Sequence, residues 1–182
     1  RELALKPWAS RRREDLFKVR AMLNEQIESL DAAVLEAAEK NEKAKLLMTQ
    51  PGVGPITAMA FVLTMGDVSR FPRGKQVASY LGLIPREYSS GGQQRLGSIS
   101  KQGNRFMRML LVEAAQIAVR YDPGFRNEYL HRCHSKAKGV AKVAAARKLA
   151  IRLYWMLRSN TAYPEIVRVE SSSRVPLDSQ SA

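Results

Sequence analysis

Between residues 12 and 48 the chain has neither proline nor glycine, and Leu16, Leu23, Leu30, Ala37 and Ala44 recur every seventh residue, with Val19, Ile27 and Val34 widening the stripe. An apolar heptad with charges on the other faces predicts one long amphipathic helix with a coiled-coil seam. At 1.5 Å per residue it is about 54 Å long, more than a small domain can cover. A second copy of the chain is the expected partner, so 12–48 is assigned to homo-oligomerisation; the rival occupant is a domain outside this sequence. Residues 1–11 read as a short lead-in, with Pro7 and Ser10 marking where a helix can begin.

Beyond residue 48 the pattern shortens. Gly52-Val53-Gly54 separates two apolar helical runs, and Pro55 suits the first position of the second, where its missing N–H costs nothing. Such a turn resembles the hairpin of helix-hairpin-helix modules, in which glycines let backbone N–H groups approach a phosphate. A plain tight turn between helices has the same composition. Residues 68–75 read as a loop carrying three cations, 76–81 as a short helix, and Gly82 as the residue just past its end. Asn104 caps a helix over 104–121, and Asp122-Pro123 starts another through about 137. Gly139 is expected to break that helix, with 140–158 forming a last, mainly buried one. The tail over 159–182 is expected to be disordered. The fold class is therefore mainly α: the coiled-coil helix, then a compact helical domain over 49–158 with a Gly/Ser loop or short hairpin.

Charge changes the picture more than composition does. The chain of 182 residues has a net charge of +13, and residues 51–158 hold eighteen Lys/Arg against five Asp/Glu, whereas 1–50 hold ten against nine. An excess so concentrated reads as a footprint for nucleic acid. The single cysteine, Cys133, excludes an intrachain disulfide framework and fits a reducing, cytoplasmic compartment. No apolar run of about 18 residues is present, so no membrane partner is expected. His131, Cys133 and His134 offer three metal ligands where a structural zinc site wants four, so no metal is assigned to them. The chain opens on Arg1, and a further segment upstream is expected.

Candidate chemistry sits in residues 82–92, Gly-Leu-Ile-Pro-Arg-Glu-Tyr-Ser-Ser-Gly-Gly. A serine hydroxyl is a weak nucleophile without help. Acyl transfer usually recruits a histidine, and the only two lie more than forty residues downstream. Phosphoryl transfer instead needs positive charge on the non-bridging oxygens, and Arg86, Arg95, Lys101, Arg105 and Arg108 flank Ser89 and Ser90. Arg105 and Arg108 fall at a helix N-terminus, where the dipole disfavours cations by about 0.3–1 kcal/mol each unless an anion joins them. Ser-Ser-Gly-Gly is also an ordinary loop composition.

The run Gly82-x-x-Pro85-x-x-x-x-Ser90-Gly91, then eleven residues, then Gly103-x-x-x-Met107-Arg108-x-x-Leu111 closely resembles the signature of the C-terminal domain of DEDD-type insertion-sequence transposases related to the Piv and MooV DNA invertases, a group also described as bridge-RNA-guided recombinases. Pro51-Gly-Val-Gly-Pro-Ile-Thr-Ala58 and Tyr80-Leu-Gly-Leu-Ile-Pro85 are similar to that family as well, and the resemblance spans roughly 12–158. Met107 departs from the pattern, which has Leu, by a conservative apolar exchange. The resemblance implies DNA transposition and recombination, with Ser90 as the serine nucleophile that forms a covalent phosphoserine link to DNA and Ser89 as the second choice. Beside it, the residues themselves suggest that Arg86, Arg95, Lys101, Arg105 and Arg108 hold the scissile phosphate, that Gly91 and Gly92 let the strand come close, and that Gly52 to Gly54 grip a phosphate farther away. The resemblance further implies an N-terminal RuvC-like domain whose four acidic residues bind Mg²⁺, DNA and a guide RNA as partners, and a nucleoid-associated bacterial protein. No cofactor is expected in this chain. A non-catalytic helix-hairpin-helix binding module accounts equally for the charge and the glycine turn, but not for the serine–glycine spacing; a purely structural dimerisation protein accounts only for 12–48.

Overall fold

The computed structural model describes residues 6–88, 93 and 95–172, and over these the chain is mainly helical. The elements run α1 (Pro7–Glu39), α2 (Glu42–Met48), α3 (Pro55–Met65), a 3₁₀ turn (Val68–Arg70), α4 (Gly74–Tyr80), β1 (Pro85–Glu87), β2 (Leu96–Ile99), α5 (Arg105–Tyr121), α6 (Pro123–Ser135), α7 (Lys138–Ser159) and α8 (Tyr163–Ser172). Local chemistry explains most boundaries. Pro55 opens α3, Asn104 Oδ1 accepts the Met107 N–H at 3.1 Å to start α5, and Asp122 Oδ1 accepts the Phe125 N–H at 3.0 Å to start α6. At the end of α4 the Leu83 and Gly82 N–H groups donate to Ala78 and Ser79 carbonyls, with Gly82 at φ +67°, the pairing of a left-handed helix stop.

The long helix is not continuous over 12–48. It starts earlier, at Pro7, and stops at Glu39; Asn41 takes an extended conformation, accepts the Ala44 N–H at 3.0 Å through its side chain and opens α2. Ala44, the last position of the heptad series, is fully buried in the domain core. Every residue from 11 to 33 is exposed, so α1 projects about 35 Å from the point where its C-terminal end docks on α3. The second correction concerns Gly139. It lies inside the first turn of α7, and the chain turns instead at Lys136 and Ala137, which are extended. A third concerns the tail: residues 163–172 form α8, whose Tyr163 N–H donates to Thr49 Oγ1 at 3.0 Å. Residues 173–182 lie outside those described.

The core gathers around α7. Leu149, Leu153, Tyr154 and Met156 meet Met107, Leu111, Ala115 and Ala118 of α5, Phe61 and Met65 of α3, and Phe125 of α6, all at most 1% exposed. Two polar devices sit within this apolar mass. Tyr154 Oη and Arg158 Nη1 each donate to the Phe71 carbonyl at 2.6 Å, fastening the 3₁₀ turn to α7. Arg152 Nη1 meets Asp122 Oδ2 at 2.6 Å with both side chains at most 3% exposed. Burial pushes the Asp122 carboxyl up, but the Phe125 N–H, the Arg152 guanidinium and Tyr163 more than offset it, and the group titrates below the usual carboxylate value.

A carboxyl with a lowered folded value stabilises the fold above its ordinary value of about 3.9, and that contribution is lost as pH falls through the lowered value. Asp122→Asn leaves a buried guanidinium without its counter-charge and is expected to cost about 3–5 kcal/mol at neutral pH. Thermal unfolding from pH 7 down to pH 2 checks this, because the gap between the two proteins should close at the acid end.

Candidate nucleic-acid interface

The serine segment is bracketed by an antiparallel hairpin. Pro85 pairs with Ile99 and Glu87 with Leu96, with a bulge between the pairs, and the Tyr88 N–H donates to the Arg95 carbonyl at 2.8 Å. Ser89, Ser90, Gly91 and Gly92 lie outside the described residues. The strands that lead into and out of them are described, and so is their support. At the base of the hairpin the Ser100 N–H donates to the Ile84 carbonyl and the Lys101 N–H to that of Gly82, with Lys101 itself at φ +57°.

Two backbones cross here at very close range. A Cβ on Gly82 would sit 2.0 Å from the Gln102 carbonyl oxygen, and one on Gly103, at φ +77°, 2.2 Å from that of Tyr80. Only bare α-carbons permit this approach. Arg108 then reaches back from α5, and its Nη1 donates to the carbonyls of Gln102 at 2.6 Å, Gly103 at 3.1 Å and Leu81 at 3.3 Å. The arginine thus ties together the end of α4, the turn at 101–103 and the start of α5.

The predicted site cations consequently divide. Arg108 is a positioning residue, engaged with three carbonyls. Arg86 Nη2 donates to the Ser100 carbonyl at 3.2 Å yet stays exposed, as do Arg95, Lys101 and Arg105. Lys101, Arg105 and Arg108 line a groove of about 570 Å³ beside the hairpin, with Leu83 and Ile99 as part of its apolar floor and Glu113 at its wall. Arg105 stands in the first turn of α5, where unpaired N–H groups and the dipole favour an anion. Ser98 lies in β2, and the Ser100 hydroxyl is shielded with no partner among the described residues.

The two distant glycines also separate. Gly52, at φ +87°, packs on α5: a Cβ there would meet the Ala114 carbonyl oxygen at 2.4 Å, so helix packing alone accounts for it. Gly54 has nothing within 4 Å of where its Cβ would be. Arg70 stays exposed while lying against two rings, its guanidinium 4.5 Å from the Phe71 ring centre and 4.8 Å from that of Tyr80. Among the described residues no group of three His, Cys, Asp or Glu converges to hold a metal, and no helix is long and apolar enough to cross a membrane.

Comparison with known proteins bears on these same elements. The model of the Transposase IS116/IS110/IS902 family matches residues 44–130, from α2 into α6. A probable family 20 transposase of Pseudomonas aeruginosa is 35% identical over 145 residues, covering 78% of this chain and 43% of that protein. The transposase for insertion sequence element IS1328 of Yersinia enterocolitica is 34% identical over 163 residues, 86% of this chain and 48% of its own length. The pilin gene-inverting protein of Moraxella bovis is 35% identical over 130 residues, 69% and 40% respectively. The chain spans less than half the length of these curated relatives.

Arginines 105 and 108 should behave oppositely. Arg108→Ala is expected to lower stability by about 1–3 kcal/mol through three weakened carbonyl contacts. Arg105→Ala should change stability by less than about 0.5 kcal/mol while reducing the salt slope of DNA binding by about 1. Urea unfolding and filter binding at several salt concentrations separate the two; equal behaviour would refute the division.

The hairpin, its glycine crossing and the α5 N-terminus all fall within 44–130, the stretch that matches the transposase-domain model of the IS116/IS110/IS902 family.

Proposed function

We propose that the chain is the serine-bearing C-terminal part of a DEDD-type transposase or site-specific recombinase. In this reading it binds DNA and supplies Ser90 as the nucleophile for strand cleavage and exchange. The observation that carries the reading is the locked hairpin base. The glycines and arginine of the sequence signature, Gly82, Gly103 and Arg108, are the residues that hold the serine-bearing hairpin against a cationic groove.

In the proposed step Ser90 Oγ attacks a backbone phosphorus in line with one of its sugar oxygens. The Oγ–P bond forms, the bond from phosphorus to that oxygen breaks, and the serine proton ends on the freed deoxyribose hydroxyl. A phosphodiester is exchanged for a phosphodiester, so the reverse attack by another strand's hydroxyl can rejoin DNA and release the serine. Lys101 and Arg105 neutralise the phosphate oxygens, Arg86 and Arg95 flank the hairpin, and Gly91 and Gly92 leave room for the strand.

The resemblance implies Mg²⁺ on acidic residues of an N-terminal domain, and among the described residues of this chain no three acidic, His or Cys side chains converge to take that role. Asp122 is paired with Arg152, Glu128 with Lys148, and Asp67 accepts two hydrogen bonds from Ser69. No step here is assigned to a metal. A guide RNA is proposed as a partner of the whole protein. Self-association is proposed through α1, where Leu16, Leu23, Ile27 and Leu30 are each at least 50% exposed along one helix.

The nucleophile is tested on a denaturing gel, with the upstream-extended protein, Mg²⁺, guide RNA and element-end DNA. An adduct present in wild type and Ser89→Ala and lost in Ser90→Ala is expected; an adduct that persists in Ser90→Ala removes the assignment. Salt-sensitive binding with no adduct in any lane would favour a non-catalytic binding module. For self-association, sedimentation at micromolar concentration should give a dimer or larger for the wild-type chain and a monomer for Leu23→Asp/Leu30→Asp, with the thermal midpoint of the helical domain retained.

A further inference from the structure

A second groove, of about 560 Å³, shares no residue with the one beside the hairpin. Arg132 of α6 and Arg147, Lys148, Ile151, Arg152 and Trp155 of α7 line it. Two of its cations are tied internally, Arg152 to Asp122 and Lys148 to Glu128 at 2.6 Å each. Arg132 and Arg147 form no salt bridge among the described residues. The surroundings are strongly one-signed: residues 123–158 contain nine Lys/Arg against one acid, Glu128.

Trp155 sets this groove apart from a merely solvated basic face. The residue is 44% exposed although it sits on the core helix. It is held from behind rather than loose: Tyr154 packs against it edge-on at 5.1 Å, and its Nε1 lies 3.4 Å from where a Cβ on Gly74 would stand. Gly74 therefore gives the indole and Ile151 their space, and exposed Arg73 and Lys75 flank that glycine. The Arg158 guanidinium lies 5.8 Å from the indole centre. A fixed, half-open aromatic surface between cations is the arrangement that binds single-stranded nucleic acid, one base stacking on the ring and adjacent phosphates meeting the charges. Duplex DNA keeps its bases in the helix and presents no face to an indole.

We propose that this groove holds a single-stranded nucleic-acid segment, with a base stacked on Trp155 and phosphates on Arg132 and Arg147. It rests on the nucleic-acid-binding reading above and adds a second contact surface to it. DNA and RNA strands share the recognised chemistry, and the test distinguishes them.

The chain has two tryptophans, and Trp8 is 81% exposed at the start of α1, so Trp8→Phe leaves Trp155 as the sole reporter in the whole 182-residue chain. Oligo-dT, oligo-U and a duplex, each of about 12 nucleotides, are titrated while fluorescence and filter binding are followed. Saturable, salt-sensitive quenching by a single strand is expected, and the tighter of dT and U identifies the source. Arg132→Glu/Arg147→Glu, the first exposed and the second half-buried, should weaken that quench tenfold or more and lower its salt slope by about 1.4, with an unchanged thermal midpoint showing that the fold is retained. Quenching by the duplex as strong as by single strands, or quenching unaffected by the double reversal, overturns the proposal. Filter binding without any quench overturns the groove while leaving the hairpin interface standing; no binding in either assay overturns both.

Discussion

The close crossing of two backbones at Gly82 and Gly103 is the constraint on which the site depends. With side chains at either position the end of α4 and the turn at 101–103 would have to part, since added β-carbons would lie 2.0 and 2.2 Å from backbone oxygens. Because they do not part, the base of the hairpin and the first turn of α5 form one rigid block. Arg108 seals it from the second turn of the same helix. Functional loops need such support, because a nucleophile displaced by an ångström loses much of its advantage. The spacing of the signature is thus first a packing requirement, and the exposed cations Arg86, Lys101 and Arg105 stand on its outer side.

Net charge alone overstates the nucleic-acid footprint. Of the eighteen cations in residues 51–158, Arg152 neutralises a buried carboxylate, Arg158 caps the Phe71 carbonyl, Arg70 lies against two rings and Arg108 binds three carbonyls. Each of these does work inside the fold, although Arg70 and Arg158 keep exposed surface. Arg86, Arg95, Lys101, Arg105, Arg132 and others are exposed as well, and they fall near the hairpin or along α6 and α7. Arginine suits both tasks because its planar fork can serve several oxygens at once and never loses its proton.

What was legible in the sequence was mostly local. Asn104, Asp122, Pro55 and Gly82 announce helix ends because a cap acts within three or four residues, and each stands in the predicted role. The break at residues 40 and 41 was hidden because the heptad continues across it, although Ala44 serves the domain core rather than the seam. Gly139 misled for the opposite reason: near the start of α7 a glycine forfeits little, and Val140 and Ala141 N–H groups already bond to Ala137. The internal work of Arg108 and the exposure of Trp155 depend on residues 27 and 81 positions away, Leu81 and Gly74, and no periodicity carries such information. The family signature pointed to the hairpin, and its serines lie outside the described residues.

The helix α1 imposes the last condition. A projecting helix whose residues 11 to 33 are all exposed draws no stability from its own domain, and most helical stability comes from packing an apolar face. Burying each Leu or Ile of the seam contributes about 1.5–3 kcal/mol, so a matching second stripe is the economical cover. In the proposed dimer the consequence reaches the site. The end of α1 docks on α3, α3 packs on α5, and α5 begins at the hairpin, so pairing two α1 helices sets two serine hairpins in a defined relation. Strand exchange requires that relation, because two DNA ends must be held together while neither is joined to the other.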